Sequence, residues 1–249
     1  MARQSASTSR VYIDEFNFSG YTNAFKMDIK NTLPEVTCFT DTGAEFVEGL
    51  PSATAVINGF FDTTDDGYDE QSFALIGDGT KHYFGLYPND ASHGDPGYEL
   101  QGQTDSQDRP VEVAGAVLLN LNVTNEGAIM RTMVLCNGES TGTGAVTNSN
   151  KNWGATGAGT VFAAVLRVIS VTGSGSIVVE IEESSDDGSG DAYSNIISFT
   201  TATAVGVERK SITTATEAWK RVNITTFSGF SAATIMVVIG EEQGTYVAP

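Results

Sequence analysis

The chain has 249 residues, 31 of them acidic and 13 basic, for a formal charge of −18, and 40% of its residues are hydrophobic. That apolar content is too high for a disordered chain, and no run approaches the 18 apolar residues of a membrane-spanning helix. The charge argues against stable binding to nucleic acid, since such a binder gains affinity from Lys and Arg that displace counterions; here the largest basic clusters are two pairs, Arg209-Lys210 and Lys220-Arg221.

In chain order, Met1-Ala2-Arg3-Gln4-Ser5 leads into polar residues, so no secretory signal is expected. Short apolar alternations broken by Gly, Asn, Asp and Ser then predict strands over 11–18, 24–29, 53–61 and 83–87. A short helix is predicted over Asp69–Ile76, with Asp69 as its cap and Gly77 as its stop. Asn89–Asp108 and Asn137–Gly159 read as loops, both longer than compact domains usually hold. The first suggests a boundary near residue 110, between halves 1–110 and 111–249. Val161–Val171, Thr172-Gly173-Ser174-Gly175 and Ser176–Glu183 read as a hairpin with a Gly-rich turn. Further strands are predicted at 194–201, 205–212, 219–226 and 234–239, with a helical turn at 213–218. The spacing predicts an all-β chain, an antiparallel sandwich or barrel.

Candidate chemistry is sparse. His82 and His93 are the two histidines, and both read as surface or strand-edge residues. No G-x-S-x-G, H-E-x-x-H, phosphate loop or dinucleotide fingerprint follows a strand and opens a helix. Cys38 and Cys136 each sit beside apolar residues and read as two buried thiols. Asp62–Glu70 and Asp186–Asp191 are acidic runs without EF-hand spacing, and read as solvated turns rather than calcium loops. Trp153 and Trp219 are the candidate aromatics for a sugar platform, with Trp153 reading as a loop anchor. The expectation is therefore no enzyme: no catalytic residue, no cofactor-binding residue, no metal ligand and no cofactor.

Three segments carry a resemblance: Phe16–Phe25 with its Ser19-Gly20-Tyr21-Thr22 turn, Pro34–Leu50, and Ile57-Asn58-Gly59-Phe60-Phe61-Asp62. Downstream come Gly115-Ala116-Val117-Leu118, Val165–Ser176, Glu180–Asp186 and Ser198-Phe199-Thr200. In order and spacing this resembles the major tail tube proteins of long-tailed, non-contractile bacteriophages. Cys38-Phe39-Thr40-Asp41 departs from it, since the family more often has Thr-Phe-Gly-Asp there.

The resemblance implies β-sandwich subunits that self-assemble into stacked rings, a phage tail tube with an acidic lumen through which DNA slides without specific binding. Loops 34–52, 89–108 and 137–159 are then expected at subunit contacts. Length suggests two tandem tail-tube-like folds, 1–110 and 111–249, with three chains per ring; an unduplicated chain would need six. The implied partners are the chain itself, a tape measure, other tail proteins and transient genomic DNA, in a virion made in the host cytoplasm. The alternatives are a capsid decoration or fibre protein and a carbohydrate-binding module.

Overall fold

The computed structural model describes residues 8–243, apart from 32, 39–41, 48, 50, 63–66, 112–116, 148, 155–159 and 216. The elements in chain order are β1 (Arg10–Ile13), β2 (Phe16–Asn17), β3 (Thr22–Asn31), β4 (Pro51–Phe60), α1 (Tyr68–Ala74), β5 (His82–Tyr87), β6 (Pro96–Asp108), β7 (Leu118–Ser140), β8 (Gly144–Ala145), β9 (Lys151–Asn152), β10 (Phe162–Ser184), β11 (Ser194–Ser198), β12 (Gly206–Ile212) and β13 (Trp219–Gln243). The fold is all-β, and every pairing with a resolved register is antiparallel. Contacts divide the chain into two units that interleave in sequence. The first takes Met1–Ser19, Tyr83–Glu99 and Met130–Pro249; the second takes Gly20–His82 and Leu100–Ile129.

The first unit is built on β10 and β13, paired from Phe162↔Glu241 to Ser184↔Trp219. β11 and β12 line the other edge of β10. Along β10, Phe162, Ala164, Leu166 and Val168 enter one core with Ile235, Val237 and Ile239. Ala163 and Val165 enter a second core with Tyr12, Tyr87, Met236 and Val238. A strand buried on both faces needs apolar residues on both, which explains the unbroken run Phe162–Leu166.

The Gly-rich turn expected at 172–175 does not form. β10 runs straight through it, and the two strands expected at 219–226 and 234–239 are one, β13. Gly173 and Gly229 have φ of 95° and 78°, and the register shifts there. A Cβ on Gly175 would lie 2.0 Å from the Ser228 carbonyl oxygen, and one on Gly229 would lie 2.4 Å from that of Ser174. The two Ser-Gly pairs face each other as matched bulges, so each glycine admits the opposite backbone instead of reversing its own.

Other corrections have equally local causes. The segment 96–108, read as loop, is β6. Its buried positions are Gly97, Glu99, Leu100, Gly102 and Thr104, too polar to show as a strand. Gly97 leaves room for the Tyr87 ring, and Gly102 for the Thr124 carbonyl. Of the loop 137–159, residues 137–140 finish β7, and two short strands, β8 and β9, pair with β13. The strand 11–18 is a tight hairpin, turned at Asp14 with φ 49°. No helical turn lies among the described residues of 213–218.

The second unit carries a ladder in which β4 pairs with β3 on one side and with β7 on the other. One face is apolar: Ala53, Ala55 and Ile57 beside Leu119, Leu121 and Val123, all buried. The other face is polar, with Asn122 donating to Ser106 and Thr124 to Asp105. The helix α1 is capped by Gly67, without a side-chain cap, and not by Asp69.

Candidate functional site

The residues that carry the resemblance turn out to be ties within each unit. In the second unit, the Phe60 N–H donates to the Tyr21 carbonyl at 2.8 Å, joining two of the three N-terminal segments. Tyr21 stacks on Tyr68, centroids 6.5 Å apart and planes 10° from parallel. A Cβ at Gly59 would lie 2.4 Å from the Tyr68 ring, so that glycine makes room for the stack. Burial pushes the Tyr68 phenol well above its ordinary range.

In the first unit, Ser184 accepts the Gly188 N–H at 2.9 Å and donates to the Asp191 carbonyl at 2.7 Å. Asp186 accepts the N–H groups of Gly190 and Asp191, at 2.6 and 3.0 Å. These backbone donors hold its carboxyl below the ordinary value. Hydrogen bonds from Tyr193 and Asn150 do the same for Asp187. The Asp186–Asp191 run therefore closes a turn on itself; of the other acidic run, residues 63–66 lie outside the described residues. Phe199 is buried in the core, while Thr200 donates N–H and O–H to Glu208.

One buried charge in the first unit is not foreseen by these patterns. Arg167 is wholly buried on the second-core face of β10. It forms a two-pronged pair with Glu99, Nη1–Oε1 at 2.7 Å and Nη2–Oε2 at 2.8 Å. Nε donates to the Asp14 carbonyl at 2.6 Å, and the Tyr87 hydroxyl donates to Glu99. Burial opposes the guanidinium charge, but the Glu99 carboxylate overcomes this and raises the Arg167 pKa above its ordinary value. Gly85 fits this cluster because a Cβ there would lie 2.7 Å from Glu99 Oε1. A second buried pair, Lys220–Glu183 at 2.7 Å, lies near the end of the β10–β13 ladder. Such pairs cost desolvation and define a geometry rather than add much stability. The sequence signal for the first was a lone Arg inside an apolar strand.

The remaining candidates are scattered. His82 begins β5 as read, but it is buried rather than at the surface, its Nε2 3.0 Å from Asp78 Oδ2. His93 is exposed in the first unit, and partial burial with Lys151 nearby lowers its pKa. Cys136 is buried, with its thiol pushed up to about 12 by desolvation; Cys38 is exposed, against expectation. Trp153 stacks edge-on to Phe162 at 5.7 Å and donates to Glu241 at 3.2 Å, so it anchors its segment to the unit's own core. A concavity of about 540 Å³ is lined by His93, Cys136, Asn137, Glu139 and Ser140 among others.

The surface of the second unit is different. The connection from β3 to β4 is a projecting arm in which every described residue of 33–38 and 42–47 is exposed. It folds on itself as a short antiparallel ribbon. The Val36 N–H donates to the Glu45 carbonyl at 2.8 Å, and that of Val47 to the Pro34 carbonyl at 3.0 Å. Leu33, Val36, Phe46 and Val47 are 45–58% exposed. At the opposite end of β4 lie Phe60, Val117 and Val111, also exposed, and Phe73 under the Arg109 guanidinium. Among the described residues β3 pairs only with β4, leaving ten residues as an open edge. An open edge and exposed apolar residues are the ingredients of association.

No family model matches the chain, and no curated protein matches it. Among solved structures it is similar to a chain from the virion of a native gene transfer agent particle, at 18% identity and TM-score 0.44, over 52% of this chain and 98% of that one. It is also similar to SPP1 Dit (gp 19.1), described as a paradigm of the hub adsorption apparatus in phages infecting Gram-positive hosts. That match has 12% identity and TM-score 0.39 over 94% and 98%. The SPP1 tail tube protein matches at 9% identity and TM-score 0.42, over 52% and 78%. At TM-scores below 0.5 these likenesses carry no argument about what this chain does.

Proposed function

We propose that this protein is a structural, non-enzymatic subunit of a phage tail, self-assembling into stacked rings that enclose a conduit for DNA. The observation that carries the reading is the second unit's surface: an open ten-residue strand edge and an apolar projecting arm. The charge of −18 supports it, because acidic walls repel phosphate and let DNA slide. The motif residues support it as well, since they tie together segments within each unit.

Copies of the chain are the principal partner, with a tape measure and other tail proteins at the ends, in the virion. The tandem arrangement of 1–110 and 111–249 belongs to this reading: a duplicated chain closes rings of three, an unduplicated one rings of six. Negative-stain microscopy over a range of concentration and salt tests it. Rings or tubes with a central channel are expected, promoted by salt that screens carboxylate repulsion. A chain that stays monomeric throughout contradicts it and favours decoration or glycan binding.

A further inference from the structure

β10 and β13 hold one amine and one carboxyl group in contact, away from water. Glu183 and Lys220 lie directly opposite each other in the ladder. Lys220 Nζ donates to Glu183 Oε2 at 2.7 Å, and the two side chains are only 1% and 7% exposed. The Phe162 ring centroid lies 5.9 Å from Nζ. Among the described residues, the other lysines paired with carboxylates are Lys26, Lys30, Lys81 and Lys210. Their contacts are 3.3–3.7 Å long and their side chains more than a third exposed, so each of those ammonium groups is hydrated. The Arg167–Glu99 pair is as dry, but a guanidinium stays charged and is no nucleophile.

A third group completes the cluster. The Glu217 N–H donates to the same Glu183 Oε2 at 3.2 Å, and Lys220 Nζ also donates to the Glu217 carbonyl. The Glu217 carboxyl is held above its ordinary value, by burial first and then by the Asp191 and Glu183 carboxylates, with Lys220 opposing. Its Oε2 is sealed from solvent and has no hydrogen-bond partner among the described residues. Burial and neighbouring negative charge both favour the protonated form of such a carboxyl. A protonated acid of this kind, next to a reacting pair, is a proton carrier.

We propose that Lys220 and Glu183 are a modification site, at which they condense to an intramolecular amide that staples β10 to β13, with Glu217 moving the proton. Nζ gives up two protons and bonds to Glu183 Cδ, and one carboxylate oxygen leaves with those protons as water. An ammonium and a carboxylate become a neutral amide, so atoms and charge balance with no added reagent. The remaining N–H still donates to the Glu217 carbonyl, and the desolvation cost of two buried charges is removed. Condensation is uphill in dilute water, but well-oriented groups in contact reach effective molarities of about 10⁵–10⁸ M. The staple lies within one chain and does not depend on how copies associate.

The test is mass spectrometry of the denatured full-length wild type, freshly purified and again after prolonged storage. The chain should be lighter than its sequence by one water. A tryptic digest should contain residues 168–209 and 211–221 joined as one peptide, with cleavage after Lys220 lost. Lys220→Arg keeps a cation at the site but should keep its full sequence mass. Glu217→Gln retains the ion pair, and with a wild-type circular dichroism spectrum it should form the joined peptide about a hundredfold more slowly. Wild type that keeps its full sequence mass at both times, with no joined peptide, overturns the amide. A joined peptide that forms as fast in Glu217→Gln overturns the role of Glu217. Neither result depends on whether the chain self-assembles.

Discussion

The two units spend their hydrophobic residues differently. The first buries β10 on both faces and seats a wholly buried Arg167–Glu99 pair beside the second core. Among the described residues its one large exposed hydrophobe is Val205. The second unit holds all the others, from Ile29 and Phe46 to Phe73 and Val111. Its sheet has a single buried face, and its edge strand is open. The first unit therefore resembles a finished core, whereas the second has apolar surface whose burial awaits another molecule. Stability and association can thus be mutated separately.

The largest expected effect is on the finished core. Arg167→Met leaves the Glu99 carboxylate buried without its partner, and should cost about 3–5 kcal/mol in denaturant unfolding. Adding Glu99→Gln should restore part of that loss. In the second unit, Gly59→Ala drives a methyl into the Tyr68 ring and should cost about 1–3 kcal/mol. Phe46→Ser separates the two properties. It should leave stability within about 0.5 kcal/mol of wild type, because the side chain is already exposed, while weakening self-association in sedimentation. If Phe46→Ser instead destabilises the monomer, the contrast between the units fails.

A smaller effect is expected at the Asp186 turn. Its carboxyl is held below the ordinary value of 3.8, so its contribution is present above that value and fades as pH falls through the lower folded one. Melting measured between about pH 5 and pH 2 should show this loss, and Asp186→Asn should flatten it. The least perturbing measurement is thiol labelling of the native protein: Cys38 should react, and Cys136, buried with its pKa near 12, should not until unfolding.

Much of the architecture is legible along the chain. Alternation in 24–29 and 53–61 marks β3 and β4, and the short helix lies within a residue or two of its predicted span. Two of the errors share one source, which is glycine. At 172–175 glycines mimic a turn and are bulges, while in β6 Gly97 and Gly102 hide a strand by taking positions where a hydrophobe was expected. In both places the deciding atoms belong to another segment: Ser228, Tyr87 or Thr124. The arm shows the same limit. Cys38 beside Val36 reads as buried, but it is exposed, as is every other described residue of 33–38 and 42–47.

The sequence by itself determined the all-β class, the acidity and the alternation of charge and hydrophobe along 24–29. These are properties of composition and of a two-residue period, which need no partner strand to be read. Only the tertiary structure decided which glycines bend the chain and which admit a neighbour, that Arg167 is paired rather than stranded, and that β3 keeps an open edge. Those are questions of which distant segment lies alongside, and a strand's pairing is set by the surfaces left once the rest of the sheet has formed.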